Sequence, residues 1–295
     1  MSSIWFCLLG LCALAFLSLG RWLGEQPKTT ALPTLIASVL LILLAAIPRF
    51  KPTLLHTTFP LGLTIYLEGI LATFPWMLMV GILWSGRAFR RLHRAAILMI
   101  VLGFVYFLFG GVWMILPDVR PYERETRTKQ GVTLQSRPDT CVPAACATAL
   151  RRIGVPTTEA EMCHVVMAKP GRGSTLARAA YGLSHRLAHL AVTVSLRDLD
   201  LDQVLALASP SRPVLVVIRS NIAADHMVVV LGREPRGVII ANPSPGDHGR
   251  VRKLPIKTNF GFEVFAPDDF ARLYRGGAIV FEHGPPQLTP PRQTP

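Results

Sequence analysis

The sequence predicts a chain in two parts: an α-helical transmembrane region, followed by an α+β domain built on an antiparallel sheet. Three observations carry this. Charged residues make up only 17% of the chain and hydrophobic residues 51%, with a mean hydropathy of +0.40, whereas a soluble globular chain carries about a quarter charged residues. The apolar excess is uneven: residues 1–116 hold eight bases (Arg21, Lys28, Arg49, Lys51, Arg87, Arg90, Arg91, Arg94) and two acids, Glu25 and Glu68. Beyond them the hydrophobic pattern alternates between helical and strand periods. A disordered chain is excluded, and an ordinary cytosolic enzyme fits poorly. The boundaries expected are a membrane domain over 1–116, a linker over 117–130, a globular domain over 131–283 and a disordered Pro-rich tail over 284–295.

A bilayer span needs about 20 apolar residues. Four stretches are read as spans: Ile4 to Leu19, Leu32 to Ile47, Phe59 to Trp84 and Ala95 to Leu116. No Lys or Arg precedes the first, so it reads as an uncleaved helix and not a signal peptide. Bases concentrate in the first and third loops, which places those loops in the cytoplasm and the globular half outside. The expectation is an integral protein of the bacterial inner membrane, with the bilayer as a partner and the globular domain extracytoplasmic. Glu68 falls inside the third span, where a carboxylate is a functional candidate or pairs with another helix.

In the globular half, Cys141 precedes a run of helical period through Ala144, Ala145, Cys146, Ala149, Leu150 and Ile153, closed by Gly154 and Pro156. A helix start offers unpaired N–H groups and the positive end of the helix dipole. Both favour a thiolate, hence a nucleophile. Taken alone, Cys141 reads equally as a buried structural cysteine. A nucleophile needs a base and the base an orienting group. Pro213 to Arg219, Met227 to Leu231 and Val238 to Ala241 read as strands, with His226 opening the second and Asn242 closing the third. A hairpin centred on Glu234 would set His226 directly opposite Asn242. Gln135, six residues before Cys141, offers a side-chain amide beside the Cys141 N–H as oxyanion donors.

These residues resemble the bacteriocin-processing cysteine peptidases, papain-like double-glycine leader peptidases often fused to ABC exporters. The resemblance runs from Val132 to Phe281. It takes in Gln135, Cys141, Gly173-Ser-Thr-Leu-Ala-Arg, His226, Asn242-Pro and Phe270-Ala-Arg-Leu-Tyr-Arg-Gly-Gly-Ala-Ile-Val-Phe. It implies a papain-like fold, with Cys141 as nucleophile, His226 as general base, Asn242 as orienter and Gln135 as oxyanion donor. It also implies a peptide or leader substrate and a separate transporter as partner. Thr140 and Val142 flank the cysteine where the family has Asp before it and often Gly after. Asn242 stands where many members have Asp. No P-loop occurs, so no ATPase is implied. The alternative is a non-catalytic module that holds a leader peptide beside a transporter. A channel or sensor with an appended domain is a third reading.

No cofactor is expected. His185 and His189 have metal-ligand spacing but no acidic or Cys partner, and read as an exposed helix face. Cys146 and Cys163 fall on successive predicted helices and would be free to pair in an oxidising compartment. Ser174 reads as the cap of a helix from Thr175 to Arg186. The net charge of +13 lacks aromatic interleaving, so no nucleic-acid partner is expected. Anionic headgroups or an acidic peptide fit it better.

Overall fold

The computed structural model describes residues 2–46, 59–67, 73–85, 97–98, 101–103, 105, 118–121, 126–128, 130–190, 192–219, 225–244, 257–259 and 261–283. The chain divides into two compact units, 1–50 with 62–116, and 51–61 with 117–295.

In the first unit the helices are α1 (Ser2–Glu25), α2 (Lys28–Ala46), α3 (Leu61–Leu67, all but its first residue) and α4 (Thr73–Ser85). α1 and α4 touch through glycines. A Cβ on Gly20 would strike the Leu78 carbonyl, and one on Gly81 the Leu17 carbonyl. Ser85 donates its hydroxyl to the Arg21 carbonyl at 2.7 Å. Ala31, Leu78 and Ile82 form one buried cluster, and Met79 with Leu83 another.

The membrane expectation is corrected here. Among the described residues no helix is long and apolar enough to cross a membrane. Within the stretch read as the third span, the described helices have 7 and 13 residues, each short of the roughly 20 that a bilayer requires. α2 contains Pro33, and α1 takes Arg21 and Glu25 into its last turns. Glu68 and most of the fourth stretch lie outside the described residues. The transmembrane part of the fold class, the inner-membrane location with an outward-facing domain, and the bilayer partner are therefore withdrawn.

The second unit opens with a two-stranded ribbon, β1 (Thr126–Arg127) against β2 (Thr133–Leu134). Helix α5 (Cys141–Arg152) follows, and every residue from Val142 to Leu150 is buried. Its run of alanines lets neighbouring elements come close on all sides. Helix α6 (Glu159–Val165) is capped by Thr158, whose hydroxyl accepts from the Glu161 N–H. Helix α7 (Leu176–Leu187) is capped by Thr175. Ser174, the expected cap, instead bonds the Val166 carbonyl. His189 lies beyond the end of α7, so it shares no helix face with His185. Asp200 and Gln203 form a capping box on α8 (Leu201–Leu207).

The remaining elements build an antiparallel sheet: β3 (Val192–Asp198), β4 (Val214–Arg219), β5 (Asp225–Glu234), β6 (Gly237–Ala241), β7 (Lys257–Asn259), β8 (Phe262–Phe265) and β9 (Tyr274–His283), with α9 (Pro267–Leu273) before the last. Seven described strands lie in the order β3-β9-β4-β5-β6-β8-β7. The β-branched runs that signalled strands form its centre. Val214, Val216, Val228, Val230, Val238 and Ile240 pack with Phe265 and Phe270 in one buried cluster. The α+β architecture with an antiparallel sheet is thus what the second unit shows.

The β5–β6 hairpin differs from the expected register. Glu234 pairs with Gly237 around a two-residue turn, Pro235-Arg236, and Gly232 pairs with Ile239. Between Gly232 and Val230 the register shifts by one, leaving Leu231 as the extra residue. Gly232 adopts φ +128, a conformation that glycine tolerates and side chains resist. Past this bulge, Val230 pairs with Ile240 and Val229 with Ala241.

Candidate active site

Cys141 is the first residue of α5, half-buried at the helix start. The turn before it is closed on itself. Thr140 bonds Arg137 through its hydroxyl, which accepts from the Arg137 N–H at 3.1 Å and donates to the Arg137 carbonyl at 3.0 Å. The turn is also tied outward. Ser136 donates its N–H to Glu159 at 2.9 Å, and Asp139 accepts from the Gly171 N–H at 2.7 Å. The thiol is therefore presented by a fixed corner rather than a free loop.

Across from it, β5 pairs with β6 only from Val229 onward, whereas its first residues pair with β4 alone. That leaves the start of β5 open beyond the end of β6. The Cys141 side chain hydrogen-bonds His226, and the main chain of Met227 also reaches the sulfur. Burial pushes the thiol up. The hydrogen bond and the charge of His226, with the main-chain groups of Met227 and Val142, outweigh it and bring Cys141 below the ordinary thiol value. A neighbouring imidazolium is a known cause of thiolate formation.

His226 is 8% exposed and Asn242 fully buried. They meet at 2.7 Å between Nε2 and the amide oxygen Oδ1. The meeting depends on the bulge. An unbroken hairpin would set Asn242 opposite Val229 and turn its side chain to the other face of the sheet. The extra residue sets it opposite Val228 instead, on the face of His226. The two are diagonal neighbours, not the directly opposed pair expected from a hairpin centred on Glu234.

Two further groups hold the Asn242 side chain, and neither was foreseen. The Ser244 N–H donates to Oδ1 at 2.9 Å. The amide Nδ2 donates to Glu263 Oε2 at 2.9 Å. Glu263 is completely buried in β8, opposite Ile240. Its signal in the sequence was a lone carboxylate inside the apolar run Phe262-Glu-Val-Phe265.

Gln135 follows β2, and its N–H donates to the Pro243 carbonyl at 3.0 Å, one residue past Asn242. Its side-chain oxygen is buried and without a hydrogen-bond partner among the described residues. The structure thus brings Cys141, His226 and Asn242 into one bonded chain, and ties Gln135 to the same strand end. Cys146 and Cys163 are free and buried. Among the described residues no group of three or more His, Cys, Asp or Glu could hold a metal ion.

No family model matches this chain. An uncharacterised protein of Methanothermobacter thermautotrophicus is 27% identical over 156 residues, covering 51% of this chain and 87% of the relative. Similar solved structures include the peptidase domain of ComA, a bifunctional ABC transporter of Streptococcus, at 17% identity and a TM-score of 0.40 over 50% of this chain and 94% of that one. Another is a double-glycine motif protease from an AMS/PCAT transporter in complex with a leader peptide, at 16% identity and a TM-score of 0.37 over 56% of this chain and 96% of that one. The peptidase domain of Streptococcus mutans ComA is a third, at 16% identity and a TM-score of 0.34 over 50% and 96%.

Proposed function

We propose that this protein is a cysteine peptidase that hydrolyses a peptide bond in a leader-type substrate. The observation that carries the reading is the bonded chain Cys141–His226–Asn242, with the thiol drawn below its ordinary value. A binding module has no use for an activated thiol.

Each residue has a defined task. Asn242 Oδ1 can only accept, so His226 holds its proton on Nε2 and leaves Nδ1 to accept from Cys141. The proton moves from Cys141 Sγ to Nδ1, and the thiolate forms a bond to the substrate carbonyl carbon. The carbonyl π electrons move to oxygen. The oxyanion is held by the Cys141 N–H and the Gln135 amide. The C–N bond breaks as His226 returns the proton to the departing amine. His226 then takes a proton from water, and the hydroxide attacks the thioester. Collapse releases the acid and restores the thiolate. The substrate class follows the resemblance: a leader cut after paired glycines, supplied in company with a separate transporter.

The test uses the full-length protein, a synthetic peptide containing a Gly-Gly pair, and a peptidyl thiol-reactive probe at neutral pH. The expected results are cleavage after the second glycine and a probe adduct on Cys141. Equal labelling of Cys141 and Cys163, or binding of the peptide without cleavage, would leave a leader-holding module as the better description.

A further inference from the structure

We propose that Glu263 is a positioning residue: it fixes the orientation of the Asn242 amide and, through it, the tautomer of His226. The inference rests on the peptidase reading of Cys141. His226 in β5, Asn242 one residue past the end of β6, and Glu263 in β8 form a diagonal row on one face. His226 is 8% exposed and the other two are completely buried.

An asparagine amide is nearly symmetric in shape, and its two ends are told apart only by hydrogen bonding. Here both ends are specified. Oδ1 accepts from the Ser244 N–H at 2.9 Å, and Nδ2 donates to Glu263 at 2.9 Å. Turning the amide over would set its NH2 against the Ser244 N–H and its oxygen against the Glu263 carboxylate, two mismatches among buried groups. With the amide locked, His226 meets an oxygen at 2.7 Å and must donate from Nε2. Its Nδ1 then carries the lone pair that receives the Cys141 proton. Without Glu263 the amide loses the acceptor that holds its NH2 away from the imidazole. The carboxylate also accounts for asparagine at 242: an aspartate there would face Glu263 acceptor to acceptor.

The experiment compares four full-length variants with the parent: Glu263→Met, Glu263→Gln, Asn242→Asp, and the paired Asn242→Asp/Glu263→Gln. Two readouts are taken, hydrolysis of the Gly-Gly peptide and the nitrogen chemical shifts of His226, which report the tautomer whether or not peptide is cleaved. Glu263→Met should mix the tautomers and lower kcat about a hundredfold with KM unchanged. Asn242→Asp alone should lose a similar factor. The paired variant restores complementarity, because the amide introduced at position 263 donates to the carboxylate introduced at position 242. Its kcat should return to within about tenfold of the parent. Glu263→Gln alone should fall between, since its amide can turn its oxygen to Asn242. If His226 keeps its proton on Nε2 in Glu263→Met, or if the paired variant is no better than Asn242→Asp, the proposal is overturned. Should Glu263→Met fail to fold, the Asn242→Asp single and paired variants decide. A parent that cleaves nothing overturns the peptidase reading instead, and the tautomer measurement still stands.

Discussion

Cys141 opens α5, and Cys163 lies in the last turn of α6. Burial pushes both thiols up, and it is the largest single influence on each. The neighbours then act in opposite directions. Cys141 has an imidazole and the main chain of Met227 and Val142 on its sulfur, and ends below its ordinary value. Cys163 has the carboxylates of Glu159, Asp139 and Asp118 around it, opposed by Arg137, and is pushed up to about 12. Which thiol is lowered and which is raised is therefore set by what surrounds a buried sulfur rather than by burial or helical position alone. Cys146, one turn past Cys141, makes the same point. It lies in the same helix without the imidazole contact, and it is driven far upward by burial and by Cys141 itself.

The comparison breaks most visibly in turnover. Cys141→Ala should lower hydrolysis of the Gly-Gly peptide by at least about 10^4-fold, while Cys163→Ala leaves kcat essentially unchanged. Matching losses in steady-state assays would end the distinction. Gly232→Val comes next, because a β-branched residue resists the φ of +128 that the bulge uses at this position while every residue of the hairpin is kept. Without the bulge, Asn242 leaves the face of His226 and the base loses its orienting group, which should cost about 10^2- to 10^4-fold in kcat. Circular dichroism of the same sample shows whether the sheet is intact.

His226→Ala should bring Cys141 closer to Cys163. Alkylation by iodoacetamide at neutral pH, followed by mass spectrometry, should slow at Cys141 by about tenfold for each pH unit by which the thiol rises. Labelling that stays fast without the imidazole would assign the low thiol value to the helix terminus instead.

The smallest effect is on stability. An unfolded thiol titrates near 9.0, whereas Cys163 in the fold keeps its proton to about 12. Between these values the unfolded chain binds fewer protons, so stability falls as pH rises through this window. Cys163→Ala should make the fall in thermal midpoint shallower. Cys141 has the reverse sign: its contribution is complete above 9.0 and is lost as pH drops through its lowered value.

Local features of the site were legible in the sequence, and long-range ones were not. Cys141 at a helix start follows from the small-residue period after it, and the strands on either side of His226 and Asn242 follow from their β-branched runs. Each depends on only a few neighbouring residues. The hairpin register was misread because the turn is two residues long and the compensating bulge lies at Leu231, where nothing but Gly232 marks it. Glu263 was missed because its partner is 21 residues away, on a neighbouring strand. The N-terminal half was read from hydropathy alone. That measure counts apolar residues and not helix length, and the described helices of the third apolar stretch have 7 and 13 residues.

The bulge at Leu231 also makes the site a matter of counting. Around a two-residue turn, cross-strand residues on one face are separated by an odd number of positions. His226 and Asn242 are 16 apart, an even number, and the extra residue supplies the difference. A single insertion or deletion that kept the bulge would separate base from orienter, whereas one that removed the bulge with it would leave them on one face. A change of two would not separate them. Working relatives of this hairpin should therefore differ in length by twos, or lose the bulge together with one residue, or exchange the bulge for a turn of odd length.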